Sequence, residues 1–179
     1  MKKKIIITII AISTLIIGTT YAWFSWAIEF RISETSECFD IDYTKGKDIG
    51  SNENKKTLIL GNSHYDGLST TVQVKTKDTC DINVGKGTLY LNTEETTSKA
   101  ILESNTLKYQ VVNGNNLTTS GTINQTGKTI IYEDFDITND STILTIYVWI
   151  DASLLTDDIA EEVLASTYYG NISLDVESR

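Results

Sequence analysis

From Trp23 onward the chain alternates. Phe24, Trp26, Ile28, Phe30 and Ile32 take the even positions, and Ser25, Ala27, Glu29, Arg31 and Ser33 the odd ones. Residues two apart share one face of a strand, so this segment reads as a strand with one unbroken apolar face. Such a face must be buried, in the chain's own fold or in a neighbour's. The period of two recurs downstream. It predicts strands at 37–43 (Cys38, Phe39, Ile41, Tyr43), at Thr57–Leu60, at Thr70–Lys75 (Val72, Val74) and at Thr88–Asn92. Cys80, Ile82 and Val84 continue the alternation between the last two. Further strands are predicted over Thr106–Val112, Leu117–Ile123, Thr129–Ile137 and Tyr168–Val176, the last with Tyr169, Ile172, Leu174 and Val176 as its core set. Thr142–Asp151 is apolar on both faces, which places it centrally, with Trp149 packed in the core.

Punctuation between these runs is of the turn type. Thr44–Lys56 is a Gly-, Lys- and Asn-rich loop, Gly61–Gly67 a turn with glycine at each end, and Asn113-Gly114-Asn115-Asn116 a hairpin turn. One segment, Leu154–Ala165, reads as a helix. Asp158 and Glu161 suit a cap, and Ile159, Val163 and Leu164 fall on one side. Glu94–Ser104 reads either as helix or as a polar excursion at one end of a sheet. Short strands separated by Gly/Asn turns predict an all-β fold, a two-sheet antiparallel sandwich of jelly-roll or Ig-like type, with one short helix near 154–165.

Upstream of the first strand the pattern changes. Lys2, Lys3 and Lys4 precede an uncharged run, Ile5–Gly18, and Thr20-Tyr21-Ala22 supplies small residues at the −3 and −1 positions of a signal-peptidase site. That order is a secretory signal ending at Ala22. The rival reading is an uncleaved anchor, since Ile5 to Ile28 is nearly uncharged and long enough to span a membrane as a helix. Residues 1–22 are therefore a signal peptide (or an anchor to about 28), and 23–179 a single β-sandwich domain. Both readings place the bulk of the protein outside the cytoplasm, secreted or at a bacterial surface.

Charge narrows the partners. The chain has 15 basic and 24 acidic residues, and removal of the three lysines leaves 12 against 24. So acidic a domain is not expected to bind nucleic acid, nor a membrane except through its N-terminal segment. Cys38 and Cys80 would close a loop of about 40 residues, which in the loop-closure account is worth roughly 4 kcal/mol as a disulfide. The alternative is two buried thiols.

Catalytic constellations are scarce. His64 is the one histidine, and neither HExxH, GxSxG nor a phosphate-binding glycine loop is present. Carboxylates gather at Asp40 and Asp42, at Glu133, Asp134, Asp136 and Asp140, and at Asp157, Asp158, Glu161 and Glu162. They read either as oxygen ligands for calcium or, more plainly, as solvated strand edges and a helix N-terminus. No enzyme, metal site or cofactor is expected. Trp23 and Trp26, at the cleavage boundary, serve as interfacial anchors or as plugs for a neighbouring groove.

The stretch Gly18-Thr19-Thr20-Tyr21-Ala22-Trp23-Phe24-Ser25 resembles the start of the TasA/camelysin-like family of bacterial matrix-fibre proteins. In that family a Gly-x-Thr-Tyr-Ala-type signal end is followed by an aromatic pair and a small residue. The resemblance implies a jelly-roll sandwich, processing by a dedicated signal peptidase, and head-to-tail assembly into biofilm-matrix fibres. Assembly would use Trp23, Phe24, Trp26, Ile28, Phe30 and Ile32 as a strand donated to the next subunit. Trp26 departs from the acidic residue that often follows the aromatic-small sequence there. Protease activity described for some members is not implied, because no zinc site can be built. Three fates remain for residues 23–33: first strand of their own sandwich, donated strand, or anchor running into the fold. The alternative function is a monomeric secreted or membrane-tethered adhesin domain that contacts other surface proteins.

Overall fold

A computed structural model describes residues 23–26, 38–44, 56–57, 60–80, 84–114 and 116–178. The strands are β1 (Trp23–Trp26), β2 (Phe39–Thr44), β3 (Lys56–Thr57), β4 (Leu60–Gly61), β5 (Leu68–Thr76) and β6 (Gly85–Thr93). They continue as β7 (Leu107–Asn113), β8 (Asn116–Thr122), β9 (Gly127–Ile137), β10 (Thr142–Asp151) and β11 (Thr167–Ser178), with helices α1 (Lys99–Glu103) and α2 (Asp157–Leu164). One sheet runs β3-β1-β11-β6-β9 and the other β2-β5-β10-β7-β8, with β4 beside the end of β10. The sheets are antiparallel apart from two parallel pairings, β1 on β11 and β4 on β10.

Alternation builds the core. In β5 and β6 every second residue is buried without exception. Val72, Val74, Leu144, Ile146, Leu107 and Val111 from one sheet join Leu89, Leu91, Ile131, Tyr168, Ile172 and Leu174 from the other in one hydrophobic cluster. Each such side chain contributes about 1.5–3 kcal/mol relative to exposure. The expected two-sheet sandwich is therefore present. β10 has the predicted bounds and the predicted central place, between β5 and β7.

Several details differ from expectation. Thr57–Leu60 is not one strand but two, β3 in one sheet and β4 in the other. Residues 81–83 lie outside the described residues, and Val84 is exposed and outside any strand. The core tyrosine of β11 is Tyr168, fully buried, while Tyr169 is half-buried. Strict alternation back from Ile172 selects position 168, so the pattern itself held the right answer.

Both helices lie between strands. The N-cap position of α2 is Thr156, whose side chain makes no capping hydrogen bond, and not the expected Asp158; Asp157 and Asp158 sit in the first turn, where the helix dipole favours carboxylates. Val163 enters the core and Ile159 packs against it, as the sequence predicted. α2 is shorter than 154–165, because a separate 3-10 turn, Ala152–Leu154, precedes it. Glu94–Ser104 does contain a helix, the short α1, which buries Ile101 and Leu102. Cys38 and Cys80 form the expected disulfide, with Cα atoms 5.5 Å apart. It ties the start of β2 to the loop after β5.

Glycine also makes room for rings in the sheet. A Cβ on Gly170 would strike the Tyr168 ring, and one on Gly87 the Phe135 ring. Among the described residues, no helix is long and apolar enough to cross a membrane.

Candidate functional site

The candidate interface is where the chain's first described strand meets its last. β1 lies beside β11 in parallel, with Trp23 opposite Thr167, Phe24 opposite Tyr168, Ser25 opposite Tyr169 and Trp26 opposite Gly170. On its other side, among the described residues, β1 pairs with the two residues of β3. Of the β11 partners, Tyr168 and Gly170 are buried, as are Ile172, Leu174 and Val176 further along the strand.

That stretch of β11 is braced from the opposite edge. Tyr169 N donates to Thr97 Oγ1 at 3.0 Å, and Thr97 Oγ1 donates to Tyr169 O at 3.0 Å. Ser98 N donates to Thr167 O at 2.9 Å, and Thr167 N to Ser98 Oγ at 2.9 Å. The polar segment before α1 thus holds the start of β11 while β1 covers the other side. Tyr168 fills the inner face over Gly170, its hydroxyl 3.1 Å from Thr93 Oγ1. Burial pushes its phenol far above the ordinary tyrosine range, and the bond to Thr93 only partly opposes this.

Of the residues predicted for the interface strand, Trp23, Phe24 and Trp26 are thus in a strand of their own chain's sheet. Ile28, Phe30 and Ile32 lie outside the described residues, as do the signal-peptidase residues Thr20, Tyr21 and Ala22.

A second feature was not legible as a site. The outer face of β10 carries Thr145, Tyr147, Trp149 and Asp151, opposite in parity to the core residues Leu144, Ile146, Val148 and Ile150. Trp149 is buried, yet it is not part of the core cluster; the sequence expectation for it is corrected. It is covered from outside by the loop 62–67. Gly67 permits this, since a Cβ there would meet Val148 O at 2.6 Å and Trp149 Cβ at 2.9 Å. Asp66 Oδ2 locks the loop by accepting from Asn62 N at 3.1 Å and Ser63 N at 3.2 Å. His64 lies tilted against Tyr65, ring centroids 3.8 Å apart, and meets Tyr147 edge-on at 4.9 Å. Tyr65 is left 78% exposed.

Beside Trp149 an open groove of about 310 Å³ is lined by Lys108, Gln110, Ser120, Thr122 and Asp151. Lys108 Nζ donates to Thr122 Oγ1 at 2.6 Å and has no acidic partner among the described residues. Trp149 Nε1 is buried without an acceptor. An unsatisfied buried donor costs about 1–3 kcal/mol.

The acidic clusters behave as surface chemistry. Lys86 Nζ lies 2.7 Å from Asp136 and 3.4 Å from Asp134, and it donates to Asp134 O at 3.0 Å. The bond to Asp136 leads in raising the Lys86 pKa, with Asp134 adding to it against a smaller desolvation effect. Asp134 has φ 54°, at the register shift between β6 and β9, so Lys86 ties down a bulge. Among the described residues no group of three acidic, histidine or cysteine side chains is arranged to hold a metal ion. The sequence matches no protein-family model, and no curated protein is significantly similar to it.

Proposed function

We propose that this protein is an exported structural subunit of a bacterial surface or biofilm-matrix fibre, assembling head-to-tail by donation of its N-terminal strand. The observation that carries the reading is the parallel register of β1 on β11. In sequence, the alternation that holds Phe24 and Trp26 runs on through Ile28, Phe30 and Ile32, and that of β11 runs from Tyr168 and Gly170 through Ile172, Leu174 and Val176.

Exchange is supported by position. As described, β1 is four residues long, comes before every other described element and, among the described residues, pairs with β11 and with two residues of β3. The same strand from a second copy would make the same pairings, which is the condition for strand swapping. Main-chain hydrogen bonds would then supply affinity and alternate side chains specificity. A heterologous contact of this kind propagates as a fibre when its rotation does not close into a ring. The finer fold type in this reading is a jelly roll, and the exporting signal is residues 1–22, removed after Ala22.

The test is negative-stain electron microscopy of residues 23–179 at high concentration beside residues 34–179. Regular fibres from the longer chain, and a folded monomer from the shorter, are expected. A shorter chain that unfolds, as judged by circular dichroism, would make residues 23–33 an integral strand and remove the proposal.

A further inference from the structure

We infer that the outer face of the six-stranded sheet holds a binding subsite for an oligosaccharide, centred on Trp149. The argument begins with what the fold alone does not require. The loop 62–67 is locked by Asp66 and holds Tyr65 out at 78% exposure. A large ring held in that position gains little from burial, and with the half-buried His64 and Tyr147 beside it the ring is available for contact with a ligand. Tyr65, His64 and Tyr147 form a shelf, with Tyr65 and Tyr147 centroids 6.2 Å apart. Trp149, 6.4 Å from His64, joins that shelf to the adjoining groove.

The groove's chemistry selects the ligand class. Its polar wall offers an amide (Gln110), two hydroxyls (Ser120 and Thr122), one ammonium (Lys108) and one carboxylate (Asp151). Donors and acceptors are mixed and formal charge balances, which suits a polyhydroxyl ligand better than an apolar or highly charged one. Asp151 Oδ1 accepts from Ser153 N and Oγ at 3.0 and 2.6 Å, which fixes the carboxylate. Lys108 spends one donor on Thr122. The buried Trp149 N–H still lacks an acceptor. Sugar rings present apolar C–H faces to aromatic rings and hydroxyls to mixed polar walls. At about 310 Å³ the groove stands at the small end of ligand sites, the scale of a short glycan segment and not of a protein partner. The site lies on the sheet that β1 does not join, so it is independent of strand donation.

The experiment is a titration of isotope-labelled protein with cello-, chito- and galacturono-oligosaccharides, read by nuclear magnetic resonance. Shifts confined to the Trp149 indole N–H and to amides near 108–110 and 120–122 are expected with at least one probe. Tyr65→Ala should weaken binding about three- to tenfold, the scale of one aromatic contact. Gln110→Ala should weaken it independently, while both variants keep the parent spectrum elsewhere. A response to the galacturonide alone would support the site and assign Lys108 the carboxylate. No shift with any probe at millimolar concentration, or shifts unaffected by both variants, would overturn the inference.

Discussion

β10 and β1 are both strands rich in large apolar residues, and they stand at opposite extremes of attachment. β10 pairs over seven residues with β5 and over seven with β7, and it buries Leu144, Ile146, Val148 and Ile150. β1 pairs over four residues with β11 and two with β3. Apolar content alone therefore does not set how far a strand is paired among the described residues. What decides is the length of ladder on both sides and whether chain continuity pins the strand in place. β10 has both supports; β1 comes before every other described element, and among the described residues its ladder spans four residues on one side and two on the other.

The largest expected effect breaks the scaffold side of that comparison. Leu144→Ala leaves a cavity between the sheets and should cost about 2–5 kcal/mol in urea denaturation. Removal of residues 23–33 should cost far less by the same assay. Next comes the staple: Cys38→Ser with Cys80→Ser frees a 42-residue separation, with an expected loss of about 2–5 kcal/mol. Comparable losses from the disulfide and from β1 would erase the distinction drawn here.

Smaller effects sharpen it. Gly170→Ala forces a Cβ into the Tyr168 ring exactly where β1 docks. About 1–3 kcal/mol of destabilisation is expected, with assembly impaired at protein concentrations where the parent polymerises. The smallest effect is on pH dependence. The Tyr168 and Tyr109 phenols are raised by burial in the folded state, so the unfolded chain ionises first. Their stabilisation is complete below about pH 10 and falls as pH rises from there toward the folded-state values. Tyr168→Phe should flatten that alkaline decline while losing about 1 kcal/mol at neutral pH through the Thr93 bond.

Much of the scaffold was legible because period-two burial was legible. Val72, Val74, Leu89, Leu91 and, in β10, Leu144, Ile146, Val148 and Ile150 follow it, and the cysteines paired as their setting suggested. Three things escaped, each for a physical reason. Thr57–Leu60 is too short for its pattern to reveal a crossing between sheets. Two side-chain periods overlap in β10, so Trp149 looked like core when a glycine-floored loop covers it from outside. The groove beside it is assembled from β7, β8 and β10, and spacing within one strand carries no sign of cross-strand neighbours. Of the five apolar even positions read from the sequence as an interface strand, Phe24 and Trp26 fall in β1, and Ile28, Phe30 and Ile32 lie outside the described residues.

The most direct test uses the register itself. Ser25 and Tyr169 are opposite one another on β1 and β11, so cysteines at both positions stand at disulfide range. The double variant Ser25→Cys, Tyr169→Cys is assembled, oxidised and run on a non-reducing denaturing gel. Strand donation predicts a ladder of covalent oligomers that collapses to monomer on reduction. Quantitative oxidation that yields only internally bridged monomer, from protein at fibre-forming concentration, would show that β1 never leaves its own sheet and would contradict the account.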